Sequence, residues 1–209
     1  MKLLAAVFLF TVPLLAHGTT DIWAQGSAAL TDHGDFATWQ APGNEASIHL
    51  GEGGSTLKAR RSVMSIEGIF ANVNLAEVGW SPRLHGVFLN ASDGGEVGTW
   101  GTRAFVIESG KARELPVARL LKTAKALTSD CDDLNVMSVA WLEEERALLV
   151  LEQVPNSSGC SNMNRAALFV VDVATGKVRE KLSPEAARTR YARFLGEGVT
   201  AILTQLPNK

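Results

Sequence analysis

Val139-Ala140-Trp141 begins a pattern that the chain already carries once, beginning at Val78-Gly79-Trp80. In both copies the Trp motif is followed by an apolar segment, a second apolar segment that ends in an acidic residue, and a Gly-Lys turn. The corresponding segments are Val87-Phe88-Leu89, Phe105-Val106-Ile107-Glu108 and Gly110-Lys111 in the first copy, and Leu148-Leu149-Val150, Phe169-Val170-Val171-Asp172 and Gly176-Lys177 in the second. The offset grows from 61 residues at the Trp pair to 66 at the Gly-Lys pair, and only across loops, where insertions are tolerated. Such a repeat indicates an architecture rather than a reaction.

Each copy predicts four short antiparallel strands followed by a helix. Continuous apolar runs such as Leu148–Leu151 indicate that both faces of these strands are covered. Gly110 and Gly176 suit tight hairpin turns. The predicted strands are roughly Leu75–Trp80, His85–Ala91, Arg103–Glu108 and Ala112–Leu115 in the first copy, and Val136–Trp141, Ala147–Gln153, Ala167–Val173 and Lys177–Lys181 in the second.

Two helices are predicted, one after each copy. In the first, apolar residues from Val117 to Leu127 recur at helical spacing. In the second, Ser183 is the expected N-cap, Pro184 the first helical residue and Gly196 the end.

The two ends of the chain give weaker patterns. The Val199–Leu206 segment predicts one more strand, and the N-terminal part predicts strands at Ala46–Leu50 and Leu57–Met64. Arg60 and Arg61 interrupt the last of these. Adjacent strand residues point to opposite faces, so we interpret the two arginines as a solvated edge, with anion binding as the alternative.

The stretch Val78-Gly79-Trp80-Ser81-Pro82, with the strands and the Gly-Lys turn that follow it, resembles one blade of the TolB-type, WD40-like β-propellers. The segment from Val139 to Arg179 resembles a second blade without the Ser-Pro. About half of the chain is covered, each unit carries an added helix, and the length is too small for a ring of six or seven blades. The resemblance implies a periplasmic or secreted scaffold that binds other molecules through loops, and it transfers no catalytic residue.

We therefore predict a mainly β protein of antiparallel, four-stranded, blade-like units with two helices; the alternative is an α+β fold with two packed antiparallel sheets. A degenerate further unit stays open for the N-terminal β segment. The predicted organisation is residues 1–18 as a signal peptide, 19–74 as an N-terminal β segment, 75–128 as a first β unit plus helix, and 129–209 as a second β unit plus helix and closing strand.

The beginning of the chain predicts export. Lys2 gives a basic start, and Leu3–Ala16 is an apolar core of 14 residues. The small residues Ala16 and Gly18 suit cleavage after Gly18, with cleavage after Ala24 as the alternative. This core is shorter than a bilayer span, and no second long apolar run follows it. We expect a periplasmic or secreted protein with no transmembrane segment in the mature chain; a buried N-terminal segment is the alternative.

The net charge and the two cysteines indicate which partners and which compartment the protein has. The formal net charge of -2 argues against a nucleic-acid partner, which would require a basic face. Cys131 and Cys160 would meet an oxidising compartment after export, and their predicted disulfide contributes about 3–4 kcal/mol in the chain-entropy model. Two free thiols are the alternative.

Two long, polar, Gly-rich loops follow the second strand of each copy, and they form the predicted binding surface. Their equivalent positions in the repeat bring them to the same edge of the sheets. Trp100 is the expected aromatic anchor, with packing against the sheet as the alternative. The predicted binding residues are Trp100, Asp93, Glu96, Asn156, Asn162 and Asn164.

An acidic cluster precedes the second copy. Asp130, Asp132 and Asp133 could offer oxygen ligands to calcium, but the segment lacks the glycine and the distal glutamate of an EF-hand loop. We interpret the cluster as an acidic loop and predict neither a metal nor a cofactor.

The predicted function is that of an exported, non-catalytic binding or scaffold protein of the bacterial envelope, with a protein or glycan partner. The sequence carries no nucleophile elbow and no phosphate-binding glycine motif. The alternative is a small secreted hydrolase of envelope polymers that uses loop carboxylates such as Asp132 or Glu96. Self-association into a homo-oligomer also stays open, because unpaired strand edges favour it.

Overall fold

The protein is described from a computed structural model. The described residues are 22–25, 28–29, 36–51, 54–67, 75–92, 94, 99–123, 134–156, 158–160 and 162–205. They form three antiparallel sheets, each of which contains a four-stranded meander in chain order, and the mainly β prediction is confirmed.

We name the sheets I, II and III in chain order. Sheet I contains β2 (Phe36–Gln40), β3 (Ala46–Gly51), β4 (Ser55–Ala59) and β5 (Ser62–Ile66). Sheet II contains β6 (Ala76–Trp80), β7 (Gly86–Ser92), β8 (Trp100–Glu108) and β9 (Lys111–Leu115), with the two-residue β1 (Ala28–Ala29) paired to β6. Sheet III contains β10 (Asn135–Leu142), β11 (Ala147–Gln153), β12 (Ala166–Asp172) and β13 (Val178–Leu182).

The helices flank the last two sheets. Helix α1 spans Val117–Thr123, α2 spans Pro184–Tyr191 and α3 spans Glu197–Gln205. The Ser183 hydroxyl accepts a hydrogen bond from the Ala186 amide at 3.1 Å, and Pro184 is the first helical residue, so the predicted cap is confirmed. None of the helices within the described ranges has the length and hydrophobicity that crossing a bilayer requires.

Sheet II lies between the other two and is covered on both faces. Leu89 and Phe105 pack with Ile48 and Leu57 of sheet I, whereas the neighbouring Phe88 faces sheet III. Successive strand residues point to opposite faces, so a run that is apolar at every position supplies both interfaces. This arrangement explains the continuous apolar runs of the repeat.

The outer faces of the stack are closed in different ways. The outer face of sheet III is covered by α2 and α3, which bury Ala187, Val199 and Leu203. The outer face of sheet I is mostly polar and carries Thr38, Gln40, Ser47, His49, Thr56, Lys58, Val63 and Ser65. Polar outer faces end an array of stacked units, and the described residues on the outer face of sheet I fit that role.

Three sequence predictions need correction. Leu57–Met64 is not one strand, because Arg60 and Arg61 form the turn between β4 and β5. The N-terminal segment thereby completes a third four-stranded sheet. Val199–Leu206 is not a closing strand: residues 199, 202 and 203 repeat at helical spacing, and their contact with sheet III outweighs the strand preference of β-branched residues. The described chain therefore has three α-helices rather than two.

A buried polar network joins sheet II, sheet III and the N-terminal segment. Glu77 is fully buried, and its carboxylate accepts hydrogen bonds from the amides of Trp23 (3.3 Å) and Ala24 (3.2 Å) and from Asn90 Nδ2 (2.8 Å). Asn90 also donates to the Ser138 carbonyl at 2.8 Å and accepts from the Ser138 amide at 2.9 Å. The Ser138 and Thr102 hydroxyls are 2.8 Å apart. Two neighbouring side chains of sheet II thus connect the three parts: Glu77 holds the N-terminal segment and Asn90 holds sheet III.

We expect Asn90→Ala to lower the free energy of unfolding by about 3 kcal/mol, because it removes one donor from the buried Glu77 carboxylate and takes the Asn90 partner from both backbone groups of Ser138. Urea unfolding measures the change. Asn156→Ala, which removes the same amide from an exposed position, should change stability by less than about 0.5 kcal/mol. Similar small losses in both variants would contradict the network's role.

Candidate functional site

The predicted aromatic anchor is half-buried. Trp100 begins β8, and its ring lies edge-to-face against Trp23, with centroids 5.3 Å apart and an interplanar angle of 73°. Its amide donates to Asn135 Oδ1 at 2.8 Å, and Asn135 Nδ2 donates to Gln153 Oε1 at 3.2 Å. These bonds place the end of the first predicted binding loop and the start of the second at the same edge, which we call the loop edge. Much of the Trp100 ring is used in packing.

The structure describes most of the second predicted binding loop, at residues 155–156, 158–160 and 162–164. Asn156 and Asn164 are exposed and Asn162 is half-buried. The Asn164 amide donates to the Val154 carbonyl at 3.0 Å, which closes the loop at its base. Asp93, Glu96, Asp130, Asp132 and Asp133 lie outside the described residues, so the complete loop site stays a prediction.

The predicted disulfide also involves an undescribed position. The Cys160 thiol is not free, but Cys131 lies outside the described residues. The pairing of these two cysteines stays a prediction. Within the described ranges no three side chains of the His, Cys, Asp and Glu types are grouped to hold a metal ion.

The opposite edge of the sheets contains two adjoining clefts that the sequence analysis did not predict. This turn edge is formed by the tight turns of the three meanders, at residues 60–61, 81–85, 109–110, 143–146 and 173–177. Each cleft lies between the turns of two neighbouring sheets. His85, Ile107 and Ser109 line both clefts and form the boundary between them.

The first, which we call the arginine cleft, lies between sheets I and II and has a volume of about 420 Å³. Its charged lining residues are Arg60, Arg61, Arg83, His85 and Glu45. The Arg61 amide donates to the Gly110 carbonyl at 2.7 Å, which fixes the β4–β5 turn against sheet II. Within the described part of the chain, neither the Arg60 nor the Arg61 guanidinium has a hydrogen-bond or ion-pair partner. The cleft therefore carries excess positive charge.

The second, which we call the glutamate cleft, lies between sheets II and III and has a volume of about 660 Å³. Four carboxylates line it, against two guanidinium groups. Arg179 is ion-paired with Asp172 and with Glu143, the latter at 2.7 Å, and Arg146 Nε donates to the Glu143 carbonyl at 3.2 Å. The four acidic lining residues are Glu108, Glu144, Glu145 and Asp172.

A strained turn positions the glutamates. Glu143, Glu144 and Glu145 have φ values of 50°, 55° and 73°, which non-glycine residues adopt only rarely. Glu145 is 9% exposed; one of its carboxylate oxygens accepts the Arg83 amide, and the other lies 3.1 Å from His85 Nδ1. Strain of this kind persists where surrounding contacts impose it, and here those contacts join the β10–β11 turn to the β6–β7 turn.

Asp172, which lines the glutamate cleft, has a lowered pKa. The Thr175 amide and hydroxyl each donate to Oδ1 at 2.7 Å, and Arg179 donates to Oδ2. These donors, Thr175 first and Arg179 second, stabilise the carboxylate and lower the pKa of Asp172 to about 2. The hydrogen bonds to Asp172 and then to Glu143 raise the pKa of Arg179.

The clefts at the turn edge are difficult to predict from the sequence. The residues that line the arginine cleft come from four stretches of the chain that lie at least fourteen positions apart, and each stretch holds only two or three of them. The adjacent Arg60 and Arg61 are the one signal in the sequence, but the apolar residues around them predict a strand, whereas the structure has a turn at this position.

No family model, curated protein or solved structure matches the chain. The resemblance to TolB-type propellers therefore stays a prediction.

Asp172 should make stability depend on pH in acid. Its pKa is lowered on folding from 3.8 to about 2, so its stabilising contribution is complete above pH 3.8 and is lost as the pH falls through 2. We expect the stability difference between the wild type and Asp172→Asn to be constant near pH 5 and to shrink between pH 4 and 2.

Urea unfolding at a series of pH values measures this difference. Thr175→Val keeps the amide donor and removes only the hydroxyl, so it should retain part of the acid dependence. A difference between wild type and Asp172→Asn that stays constant down to pH 2 would show that the carboxylate is not stabilised as described.

Proposed function

We propose that the protein is an exported, non-catalytic binding protein and that the arginine cleft binds an anionic group of its ligand. The observation that carries the proposal is the pair of adjacent guanidinium groups, Arg60 and Arg61, which face one cleft without a partner among the described residues. Guanidinium groups bind carboxylates and phosphates through paired, charge-assisted hydrogen bonds. The ligand would supply the missing acceptors.

The position of the two arginines supports this proposal. Both lie on a two-residue turn that is held to Gly110 by a backbone hydrogen bond, so their backbone is fixed before a ligand arrives. Arg83 and His85 line the same cleft from the β6–β7 turn of sheet II. Preorganised groups of one charge attract a ligand of the opposite charge and lose little entropy on binding.

The size of the cleft supports a small group or a short segment as the ligand. Its volume of about 420 Å³ falls in the range of about 300–1,000 Å³ that is typical of ligand sites. The only acidic lining residue among those described is Glu45, so an incoming anion meets little repulsion.

A periplasmic or secreted location completes the proposal. It rests on the signal-peptide pattern of residues 1–18 and on the predicted disulfide. The alternative function, hydrolysis of envelope polymers, depended on Asp132 and Glu96. Both lie outside the described residues.

The binding proposal predicts a specific loss of affinity. Replacing both Arg60 and Arg61 by Gln should weaken binding of the acidic peptide acetyl-Asp-Asp-amide by about tenfold or more, because charge-assisted hydrogen bonds are lost. Isothermal titration calorimetry at low salt measures the affinity, which should fall as ionic strength rises.

Arg113→Gln is the matched control, since it removes one exposed guanidinium from sheet II outside the cleft. It should change the affinity for the acidic peptide by less than about twofold, because salt screens the long-range attraction between a distant guanidinium and the peptide. No binding by the wild type, or an equal loss in the control, would overturn the proposal.

A further inference from the structure

The last strand of sheet I differs from the last strands of the other two sheets. Strands β9 and β13 each carry arginine, lysine and glutamate, whereas β5 (Ser62–Ile66) has no charged residue. Charged side chains on an edge strand hinder its pairing with another chain. Val63 of β5 is 70% exposed, more than any other large hydrophobic residue in the described part of the chain. Strand β5 therefore lacks the protection that its two counterparts have.

The outer edge of β5 carries open backbone groups. Because β4 and β5 are joined by a two-residue turn, the flanking residues Ala59 and Ser62 form a hydrogen-bonded pair. Hydrogen-bonded and non-hydrogen-bonded pairs then alternate along the ladder, so the amides and carbonyls of Val63 and Ser65 point away from β4. Among the described residues these four groups have no hydrogen-bond partner.

Sheet II leaves this edge accessible. Ala112 holds the equivalent outward position on β9, and its amide donates to Ser62 Oγ at 3.0 Å. The edge of sheet II therefore ends against the inner face of β5 and does not project past it. A further strand beside β5 would extend sheet I without breaking a contact of sheet II.

The charges at the two ends of β5 identify the strand that fits there. Arg61 precedes β5 and Glu67 follows it; both are exposed, and neither side chain has a partner within the described ranges. If a second copy of β5 runs antiparallel to the first about Met64, Arg61 lies opposite Glu67 of the second copy at both ends. A parallel arrangement would place like charges together, which is unfavourable.

We propose that β5 pairs antiparallel with β5 of a second copy of the chain and joins two copies of sheet I into one continuous sheet. In this register Val63 faces Ser65 of the second copy, so each outward amide meets an outward carbonyl. The arrangement has two-fold symmetry and closes as a dimer. It does not depend on the anion binding proposed above.

Val63→Pro is the decisive variant. Proline removes an outward amide but no hydrogen bond between β4 and β5, and it is tolerated on edge strands. Two-fold symmetry makes the loss occur twice, so the dissociation constant of the dimer should rise by about tenfold or more. Sedimentation equilibrium measures this constant, without the acidic peptide, because Arg61 also lines the arginine cleft.

Thr38→Pro is the matched control on β2, the other edge strand of sheet I. The Ala41 amide bonds the Ala46 carbonyl, and the same alternation then makes Thr38 an outward position. This variant should change the dissociation constant of the dimer by less than about twofold. Circular dichroism checks that both proline variants are folded.

A charge exchange tests the register without altering the backbone, and it decides the proposal even if Val63→Pro does not fold. Glu67→Arg places two arginines opposite each other at both ends of the interface and should weaken the dimer by about fivefold. Adding Arg61→Glu to that variant exchanges both charges and should restore the wild-type dissociation constant to within about twofold.

Three results would overturn the proposal. The first is a wild-type protein that stays monomeric at every concentration. The second is a dimer that Val63→Pro leaves intact, or that Thr38→Pro weakens equally, because the interface would then lie elsewhere. The third is a double charge exchange that fails to restore the dimer. None of these results bears on the arginine cleft, which the peptide affinities test separately.

Discussion

The fully buried carboxylate of Glu77 is the contact on which the placement of the sheets depends. A charge taken out of water must be matched by donors. Here the donors come from the segment at residues 22–24 and from Asn90. Asn90 in turn bonds both backbone groups of Ser138 on sheet III. The N-terminal segment, sheet II and sheet III are therefore fixed together by polar contacts that few other arrangements could satisfy. The apolar interfaces between the sheets add stability, but they are not directional.

The turn edge follows from that placement. Sheet II is covered on both faces, so its β6–β7 and β8–β9 turns project between the turns of sheets I and III and divide the edge into two clefts. The strained Glu143–Glu145 turn reaches across to Arg83 and His85 and holds one side of this division. The arginines come from sheet I and most of the carboxylates from sheet III, so the order of the sheets in the stack determines the order of the charges along the edge.

Much of this architecture could be predicted from the repeat. The eight predicted strands of the two copies appear within a residue or so of their expected ends, apart from the start of β8 at Trp100, because continuous apolar runs are required of a sheet covered on both faces. Sheet I was only partly predicted, since a hairpin turn made of two arginines lacks the glycine or asparagine that marks most tight turns. Helix α3 was mistaken for a strand because its β-branched residues favour strands locally, whereas their burial against sheet III follows a helical period. The clefts could not be predicted, because they depend on which turns become neighbours in space.

The central claim is that the ligand binds at the turn edge rather than at the loop edge. The most direct measurement is the change in backbone amide chemical shifts on adding acetyl-Asp-Asp-amide to the isotopically labelled protein. We expect saturable shifts at Arg61, His85 and Gly110, which line the arginine cleft, with little change at the opposite edge. Shifts concentrated at Trp100 and Asn164, with the turn edge unaffected, would contradict it and return the binding site to the long loops.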